Sequence, residues 1–400
     1  MPSLLELRTQ ALSHVRIGLI GLGQRGQRMI DRYRFIDGAS IVAISDLSSE
    51  LLEKTQKQFA ISERPQPATH IGTEAWREVC ERSDVDLIYI CTPWDSHAEI
   101  AQVAMMAGKH VAVEVPAAMN VNDCYALIAT ARNTGRHLFL AENCCYDRFH
   151  LGVLSAVQQG LLGTITHCEG AYIHDLRADF GLLSEGEATR GWMGMAFAQH
   201  GGNPYPTHAI GPIAHLLNIH RGDRLKTLTA MSSTPIDEQT GQGRINTALI
   251  TTERGRTILL QLDMTTPRPY SRLQTTCGTE GYAQKYPLPI LATSTTPQPL
   301  TGQPAEELAD DLATHHPAFA FWQEGYLRGV DNEMNYAMDA RLIYCLRQGL
   351  PLDIDAYDAV EWSCLTELTQ LSAQQGGMPI AIPDFTEGHW QKLSTHRFHT

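Results

Sequence analysis

The sequence has no long hydrophobic run. None of its apolar stretches approaches the length of about 20 residues that a helix needs to cross a bilayer. The first ten residues also lack a basic region followed by an apolar core, so no signal peptide is visible. We therefore expect a cytoplasmic protein without a membrane partner. A chain whose leader had been removed would look the same.

Clusters of basic residues are missing as well. The chain has 31 lysines and arginines against 44 aspartates and glutamates, which gives a formal net charge of −13. Such a surface has nothing to replace the counterions of a phosphate backbone, so the composition argues against a nucleic-acid partner. The apolar content of 43% is typical of a folded protein, and 400 residues predict two domains rather than one.

The usual patterns of metal-binding and redox cysteines are lacking. None of the nine cysteines forms a CxxC pair, and several lie within apolar runs, which indicates buried, reduced thiols. His208 and His215 are seven residues apart and His315 and His316 are adjacent, but no HExxH or similarly spaced ligand set accompanies them. We therefore expect no required metal.

A glycine-rich turn near the N-terminus is the clearest motif that is present. The apolar run 15–20 ends in Gly21-Leu-Gly23-Gln-Arg-Gly26, and the pattern then becomes helical. In such a strand–turn–helix the first glycine permits the turn, the second lets the backbone approach a pyrophosphate, and the third allows close packing of helix on strand. A second apolar run ends in Asp46, which suits ribose hydroxyls and would repel a 2′-phosphate. The sequence therefore predicts bound NAD rather than NADP.

Residues 12–145 alternate between short apolar runs and helical segments. This alternation predicts an α/β Rossmann domain with a doubly wound parallel sheet. In such sheets ligands lie beyond the carboxyl ends of the strands. That rule makes residues 92–97, Glu114, Val115 and Asn143 candidate neighbours of the cofactor.

The pattern changes over residues 146–400. Alternating runs at 164–173, 225–233, 244–251, 257–265 and 272–276 predict a mostly antiparallel, open-faced sheet in an α+β substrate domain. Helices are expected at 206–219, 320–348 and 355–374, and a long loop at 286–305. The exposed face of the sheet could form the interface of a homo-oligomer.

Two segments of this second domain could carry chemistry. Pro206 suits the first turn of a helix and places His208 near the helix N-terminus, where the dipole keeps imidazole neutral and able to accept a proton. Tyr205 lies in the same loop. Tyr172 and His174 alternate on a predicted strand, so their side chains should share a face. The structural alternatives are a capped helix with an incidental histidine and a tyrosine that only packs.

With these residues laid out, the chain resembles the glucose–fructose oxidoreductase and inositol dehydrogenase (Gfo/Idh/MocA) superfamily. Within it the chain is most similar to glycoside hydrolase family 109, the NAD-dependent N-acetylgalactosaminidases. The resemblance runs nearly from end to end, and its most specific parts are Glu114-Val-Pro-Ala117, Ala171-Tyr-Ile-His-Asp175 and Tyr205-Pro-Thr-His208. It implies NAD contacts at Gln24, Arg25, Asp46, Trp94, His97, Glu114, Val115 and Asn143, and sugar contacts at Tyr172, Tyr205, Pro206, Thr207, His208 and Tyr286.

The resemblance also implies an unusual reaction. Most glycosidases use two carboxylates, whereas this family oxidises the sugar transiently at C3, eliminates the leaving group across C1 and C2, adds water and reduces C3 again. Superfamily dehydrogenases usually carry Glu-Lys-Pro where this chain has Val115, which cannot act as a base. Our hypothesis is that His208 assists deprotonation of the C3 hydroxyl, that Tyr172 is the base near C2, and that Tyr205 is a third catalytic group.

Two departures from the family pattern concern specificity. The family has an arginine directly after a tryptophan where this chain has Trp192-Met193, and a methionine cannot make the charge-assisted contacts of a guanidinium. Many members also carry a Gly-Gly-His-Gly-Gly loop where this chain reads Leu327-Arg-Gly-Val-Asp-Asn-Glu333, so Asp331 or Glu333 would have to replace the histidine. The sugar, its anomeric form and the oligomeric state stay open. The alternatives are a net sugar or cyclitol dehydrogenase and a non-catalytic NAD-binding protein.

Overall fold

The computed structural model describes residues 3–183 and 191–400, which divide into two compact units. The first unit comprises Met1–Glu142, Ala320–Val360 and Arg397–Thr400, and the second comprises Asn143–Phe319 and Glu361–His396. Residues 320–360 therefore pack with the N-terminal residues, whereas the predicted boundary near residue 145 places them in the second domain.

The first 142 residues form alternating strands and helices. The strands are β1 (Val15–Ile20), β2 (Ala39–Asp46), β3 (Ala68–Ile71), β4 (Leu87–Ile90), β5 (His110–Val113) and β6 (Leu138–Leu140). The helices are α1 (Gln24–Arg32), α2 (Ser49–Ile61), α3 (Ala75–Glu81), α4 (His97–Met106) and α5 (Val121–Thr134). The short elements β3 and α3 carry too few periodic residues to have been predicted.

All six strands are parallel, in the order β3-β2-β1-β4-β5-β6. This confirms the predicted doubly wound sheet. The strand order reverses between β1 and β4, so the ends of these two strands flank the crevice in which ligands of such sheets bind. Every residue of β4 and of β5 is buried, as expected of central strands covered on both faces.

The remaining elements follow in chain order. The helices are α6 (Arg148–Gln158), α7 (Trp192–Gln199), α8 (Thr207–Leu216), α9 (Gln303–Ala313), α10 (Pro317–Leu327), α11 (Glu333–Gln348) and α12 (Ala356–Gln374). The strands are β7 (Ile165–Ile173), β8 (Leu225–Ser232), β9 (Ile245–Thr252), β10 (Thr257–Asp263), β11 (Ser271–Gly278), β12 (Tyr282–Gln284), β13 (Ile290–Ala292), β14 (Leu300–Thr301) and β15 (Ile380–Ala381).

The described residues of the second unit form a nine-stranded sheet in the order β14-β13-β12-β11-β7-β10-β9-β8-β15. Only the pair β7–β10 is parallel within this sheet. This confirms the predicted mostly antiparallel sheet. In β9 buried residues alternate with partly exposed ones, which is the pattern of a sheet with one face covered and one open.

Two predictions about the C-terminal half are wrong. The helix expected at 320–348 is two helices, α10 and α11, because Gly329 has a φ of 69° and Asn332 caps a new helix by accepting a bond from the Asn335 N–H at 2.9 Å. The loop expected at 286–305 contains β13, β14 and the start of α9. Its strands of two or three residues are too short to produce a visible alternation.

A buried ion pair anchors α11 within the first unit. The Arg32 guanidinium donates to Asp339 at 2.8 Å, and the Tyr89 hydroxyl donates to the other carboxylate oxygen of Asp339 at 3.0 Å. The carboxylate is fully buried, and its partners satisfy it from two different elements. In the described part of the chain, no helix has the length and apolar character required to span a membrane.

Candidate functional site: a glycine-rich turn and an aromatic cluster

The first unit carries the glycine-rich turn between β1 and α1. Gly21 has a φ of 92°, and a Cβ there would lie 2.6 Å from the Cys91 carbonyl oxygen at the end of β4. A Cβ at Gly26 would lie 2.1 Å from the Gly21 carbonyl oxygen, so only glycine lets α1 approach the turn this closely. A Cβ at Gly23, in contrast, would meet nothing within 4 Å. Two glycines are thus required by packing, and the third leaves open space beside the helix.

The open space at Gly23 suits a pyrophosphate. Gly23 is the N-cap of α1 and provides no side-chain cap, so the first N–H groups of the helix can bind an anion. At the end of β2, the Asp46 carboxylate accepts bonds from the backbone N–H groups of Leu22 at 2.6 Å and Ser48 at 2.8 Å. These bonds hold the carboxylate beside the turn, as ribose recognition requires. The residues therefore fit a bound NAD.

The other predicted cofactor residues of this unit surround the same strand ends. Arg25 pairs with Glu114 at 3.0 Å, so each of the two is fixed by the other. His97 is buried, and its ring nitrogens lie 2.7 Å from the Pro116 carbonyl oxygen and 2.8 Å from that of Thr92. Burial lowers the pKa of His97, although both carbonyls oppose that shift, so the ring is neutral at pH 7 and its single N–H donates to one of the two carbonyls at a time.

Four more of the predicted cofactor residues differ in exposure. Trp94 and Val115 are buried, and Gln24 is exposed at the start of α1. Asn143 is buried and is the first residue of the second unit. The assignment of these side chains to the cofactor remains a prediction.

In the second unit, the sequence-predicted catalytic residues form one aromatic cluster. The ring centroid of Tyr172 lies 4.9 Å from that of Tyr205 and 5.1 Å from that of His208. The Tyr205 and His208 rings are 4.8 Å apart. Pro206 and Thr207 lie between them, as the N-cap and first residue of α8, and both are buried. The predicted position of His208 at the start of a helix is confirmed.

Tyr172 has a hydrogen-bonding partner on its own strand end. Its hydroxyl lies 2.8 Å from His174 Nδ1, which confirms that the two side chains share a face. Burial lowers the pKa of His174, although the nearby carboxylates of Asp179 and Asp175 oppose that shift. A histidine with a lowered pKa is neutral at pH 7, so Nδ1 can accept the proton of the Tyr172 hydroxyl.

The loop before α8 is held by buried polar contacts. Nη1 of Arg244 donates to the carbonyl oxygens of Phe197 at 3.1 Å, Ala198 at 3.2 Å and His200 at 2.7 Å, which caps the C-terminus of α7. Asn203 then accepts a bond from the Tyr205 N–H at 2.9 Å. These bonds direct the chain from α7 into Tyr205 and α8.

Gly170 sets the distance between α8 and β7. A Cβ at this position would lie 2.8 Å from the carbonyl oxygen of Ala209, the residue after His208. Because only glycine allows this approach, α8 lies directly on the strand that carries Tyr172. The Tyr172–His208 distance therefore depends on a residue that sequence analysis did not select.

Sequence analysis also missed Tyr270 and Arg272. The Tyr270 ring lies 5.3 Å from His174 and 5.8 Å from Tyr286, so it connects the predicted sugar residue Tyr286 to the cluster. The antiparallel register of β11 and β7, in which Ser271 pairs with Ile173, brings these residues together. The only local signal was an aromatic residue between two arginines in a short turn.

A buried ionic cluster lies behind Tyr286. Asp147 accepts bonds from Arg272 at 2.7 Å and from the Nζ of Lys285. Burial by itself would raise the Asp147 pKa, but the two positive charges and their hydrogen bonds lower it well below its ordinary value. A lysine is thus present in this unit, but it is engaged with a carboxylate.

The two departures from the family pattern lie at the starts of two helices. Met193 is the second residue of α7 and is partly exposed. Asp331 and Glu333 flank Asn332, the N-cap of α11, in the first unit.

Comparison with known families agrees with this geometry. The profile of the glycosyl hydrolase 109 C-terminal domain matches residues 146–241 and 236–392, and that of the oxidoreductase family NAD-binding Rossmann fold matches residues 15–142. The chain belongs to glycosyl hydrolase family 109. It is an NAD-dependent glycoside hydrolase built on an oxidoreductase fold.

Curated family 109 relatives match over almost the whole chain. A glycosyl hydrolase family 109 protein 2 of Phocaeicola vulgatus is 47% identical, over 98% of this chain and 99% of the relative. An alpha-N-acetylgalactosaminidase of Bacteroides fragilis is 46% identical, over 98% of this chain and 97% of the relative.

Solved structures show the fold. A levoglucosan dehydrogenase in complex with NADH and L-sorbose aligns with a TM-score of 0.69 at 18% identity, covering 93% of this chain and all of the other. An oxidoreductase domain protein of Kribbella flavida aligns with a TM-score of 0.70 at 21% identity, covering 93% of this chain and 100% of that chain.

Proposed function

We propose that this protein hydrolyses glycosides of N-acetylgalactosamine or a closely related hexose through transient oxidation at C3. The observation that carries the proposal is the hydrogen bond between the Tyr172 hydroxyl and His174 Nδ1, beside His208 and Tyr205. A tyrosine bonded to a neutral imidazole is a suitable base for a carbon acid. A hydrolase that used two carboxylates would have no need of it.

Bound NAD would supply the redox chemistry, by oxidising the C3 hydroxyl to a ketone and later reducing that ketone. Gly23 and the N-terminus of α1 would hold the pyrophosphate of NAD, and Asp46 would bind its ribose. In the second unit, His208 would accept the proton that leaves the C3 hydroxyl.

Tyr172 would act at C2. A C3 ketone acidifies the C2 proton, and Tyr172 takes this proton while its own passes to His174 Nδ1. The electron pair of the C2–H bond forms the C1–C2 double bond, and the leaving group departs from C1 with its bonding electrons. His174 gives its proton to the departing oxygen. Water then adds its oxygen to C1, Tyr172 returns a proton to C2, and the proton released by the water restores the Tyr172 hydroxyl, so the net change is hydrolysis.

The test follows product release and proton exchange together. Aryl glycosides of N-acetylgalactosamine should release the aglycone without net NADH, and the sugar product formed in D₂O should carry deuterium at C2. Tyr172→Phe should reduce aglycone release by about 10²-fold or more, the usual contribution of a general base. Tyr282→Phe is the matched control, because the Tyr282 hydroxyl bonds to Gln284 on the same strand and to Thr275, and to none of the residues assigned a catalytic role here.

Two outcomes would contradict the proposal. Stoichiometric NADH without aglycone release would show a net sugar dehydrogenase. Aglycone release without deuterium at C2 would show a hydrolase that works by another route.

The identity of the sugar can be tested at Met193. The resemblance places an arginine contact at this position, which methionine cannot make. Met193→Arg should therefore raise activity on N-acetylgalactosaminides if that contact is simply missing. Comparison of kcat/KM for galactosides and N-acetylgalactosaminides, with and without the substitution, decides whether the substrate differs from that of the named relatives.

We further propose that the open face of the nine-stranded sheet pairs with a second copy of the chain. Leu249 on β9 is 48% exposed on this face and lies between β8 and β10, and Leu259 lies opposite it in register. Light scattering should give a dimer or larger assembly, and Leu249→Glu should shift it to monomer. A wild-type monomer at micromolar concentration would contradict this.

A cytoplasmic location likewise stays a prediction, which cell fractionation would test.

A further inference from the structure

A small cavity lies beside His208 in the second unit. It has a volume of about 10 Å³ and is bounded by β7, α8 and β11. Its apolar lining comes from α8. Its polar lining comes from Glu169 on β7, His208 on α8, and Arg272, Gln274, Thr275 and Thr276 on β11. This volume corresponds to about one water molecule.

An irregularity in β11 gives the cavity its polar lining. Leu273 has a φ of 54° and Gln274 a φ of 57°, a left-handed conformation that residues other than glycine rarely adopt. The pairing of β11 with β7 shifts between Ser271 and Leu273 and again between Leu273 and Thr275. Bulges of this kind change the direction of a side chain next to a functional site.

Four polar atoms on two of these side chains have no partner among the described residues. They are Oε1 and Nε2 of Gln274 and Nε and Nη1 of Arg272, and none is accessible to solvent. The remaining nitrogen of Arg272 is occupied, because Nη2 donates to Asp147 at 2.7 Å. Buried polar atoms in proteins almost always have a partner, and a cavity lined by several of them is typical of a bound water.

We propose that one ordered water occupies this cavity, accepts a hydrogen bond from Arg272, exchanges hydrogen bonds with Gln274, and contacts the His208 ring at the edge of the cavity. The water completes the hydrogen bonds of two buried side chains. Through its bond to the ring, it sets the orientation of His208 and selects the nitrogen that carries the proton. Gln274 is thus a positioning residue for His208.

The binding of water is independent of the reaction, whereas its effect on His208 rests on the proposed function. A smaller apolar cavity would stay dry and would leave His208 without this partner. An anion such as chloride is a poorer occupant, because Glu169 also lines the cavity and its carboxylate would repel it.

The first test is crystallographic and needs no variant. A structure of the NAD-loaded protein at high resolution should show one density peak about 2.7–3.2 Å from nitrogen or oxygen atoms of both Arg272 and Gln274. The same peak should be missing in Gln274→Met, which keeps the length of the side chain and removes both amide atoms. An empty cavity in the wild-type protein would overturn the proposal, and so would a heavier, anomalously scattering anion.

The second test measures the effect on His208. Gln274→Met should shift the acidic limb of the kcat pH profile by about 0.5–1 unit, with little change in KM, because a water-mediated bond to the proton-accepting ring is lost. Gln284→Met is the matched control: its side chain bonds Tyr282 and Leu288 and does not line the cavity. Its pH profile should remain that of the wild type.

The outcomes of the two tests are separable. A cavity water with an unchanged pH profile in Gln274→Met would overturn the positioning role. A cavity water together with hydrolysis that leaves no deuterium at C2 would refute the proposed function and leave the water site intact. Melting temperature and NAD affinity of each variant show whether it is folded.

Discussion

Replacing Gly170 by alanine should move α8, the helix that carries His208. The added Cβ would lie 2.8 Å from the Ala209 carbonyl oxygen and 2.9 Å from Cδ1 of Ile213, whereas ordinary contacts begin at 3.4 Å. The Ile213 side chain can rotate, but the carbonyl belongs to the backbone of α8. The start of α8 must therefore move away from β7 by about 0.6 Å, and it carries His208 with it.

A displacement of this size affects catalysis more than binding. A misplacement of about 1 Å at a reacting group costs about 10²-fold in rate, so about 0.6 Å predicts a fall in kcat of about tenfold. Overpacking should also lower the free energy of unfolding by about 1–3 kcal/mol. Steady-state kinetics gives kcat and KM separately, and urea unfolding gives the change in stability.

Gly201→Ala is the matched control for this prediction. Gly201 lies in the loop before α8, and the nearest atom to a Cβ there would be Cγ of Gln370 at 3.8 Å. This variant should keep kcat within about twofold, since no backbone has to move. If Gly170→Ala also kept wild-type kcat while remaining folded, the argument that this glycine sets the position of His208 would be wrong.

Two further predictions concern the first unit. Gly23→Ala should weaken NAD binding at least tenfold, as measured by calorimetry, because its Cβ enters space that no protein atom fills; its melting temperature should not change. Gly26→Ala should lower both the NAD affinity and the melting temperature, since its Cβ would lie 2.1 Å from the Gly21 carbonyl oxygen. Burial lowers the pKa of His110 from 6.5 to about 4, so the unfolded chain binds the proton first as the pH falls. The free energy of unfolding should decline from about pH 6.5 downwards, and His110 should contribute about 2 kcal/mol of this loss by pH 5. Urea unfolding measures this free energy for the wild type and for His110→Gln. If the two proteins showed the same pH dependence, the prediction would be wrong.

Much of the first unit could be predicted from sequence because its signals are local. Gly21 has the positive φ of a tight turn, Gly26 is required by a contact within the same strand–turn–helix, and Asp46 is the last residue of its strand. Periodic apolar runs then identify the parallel strands. The prediction failed where elements are short, as in β3, and where a single helix was assumed across Gly329 and Asn332.

The cluster in the second unit was predicted only in part. Tyr172, Tyr205 and His208 were chosen from motifs and a helix start, and the structure places their rings together. Tyr270 and Arg272 were missed because their proximity depends on the register between β11 and β7, strands separated by almost a hundred residues. No local pattern reports such a pairing.

The sequence by itself determined the two kinds of sheet, the cofactor class and the family, since each depends on local periodicity or on contiguous motifs. Only the tertiary structure decided which groups act on one another. The ring contacts of Tyr172 with Tyr205 and His208, the close approach of α8 at Gly170 and the cavity beside His208 all arise from packing between distant segments. These contacts depend on which side chains the fold brings close together, and the order of residues along the chain does not show this.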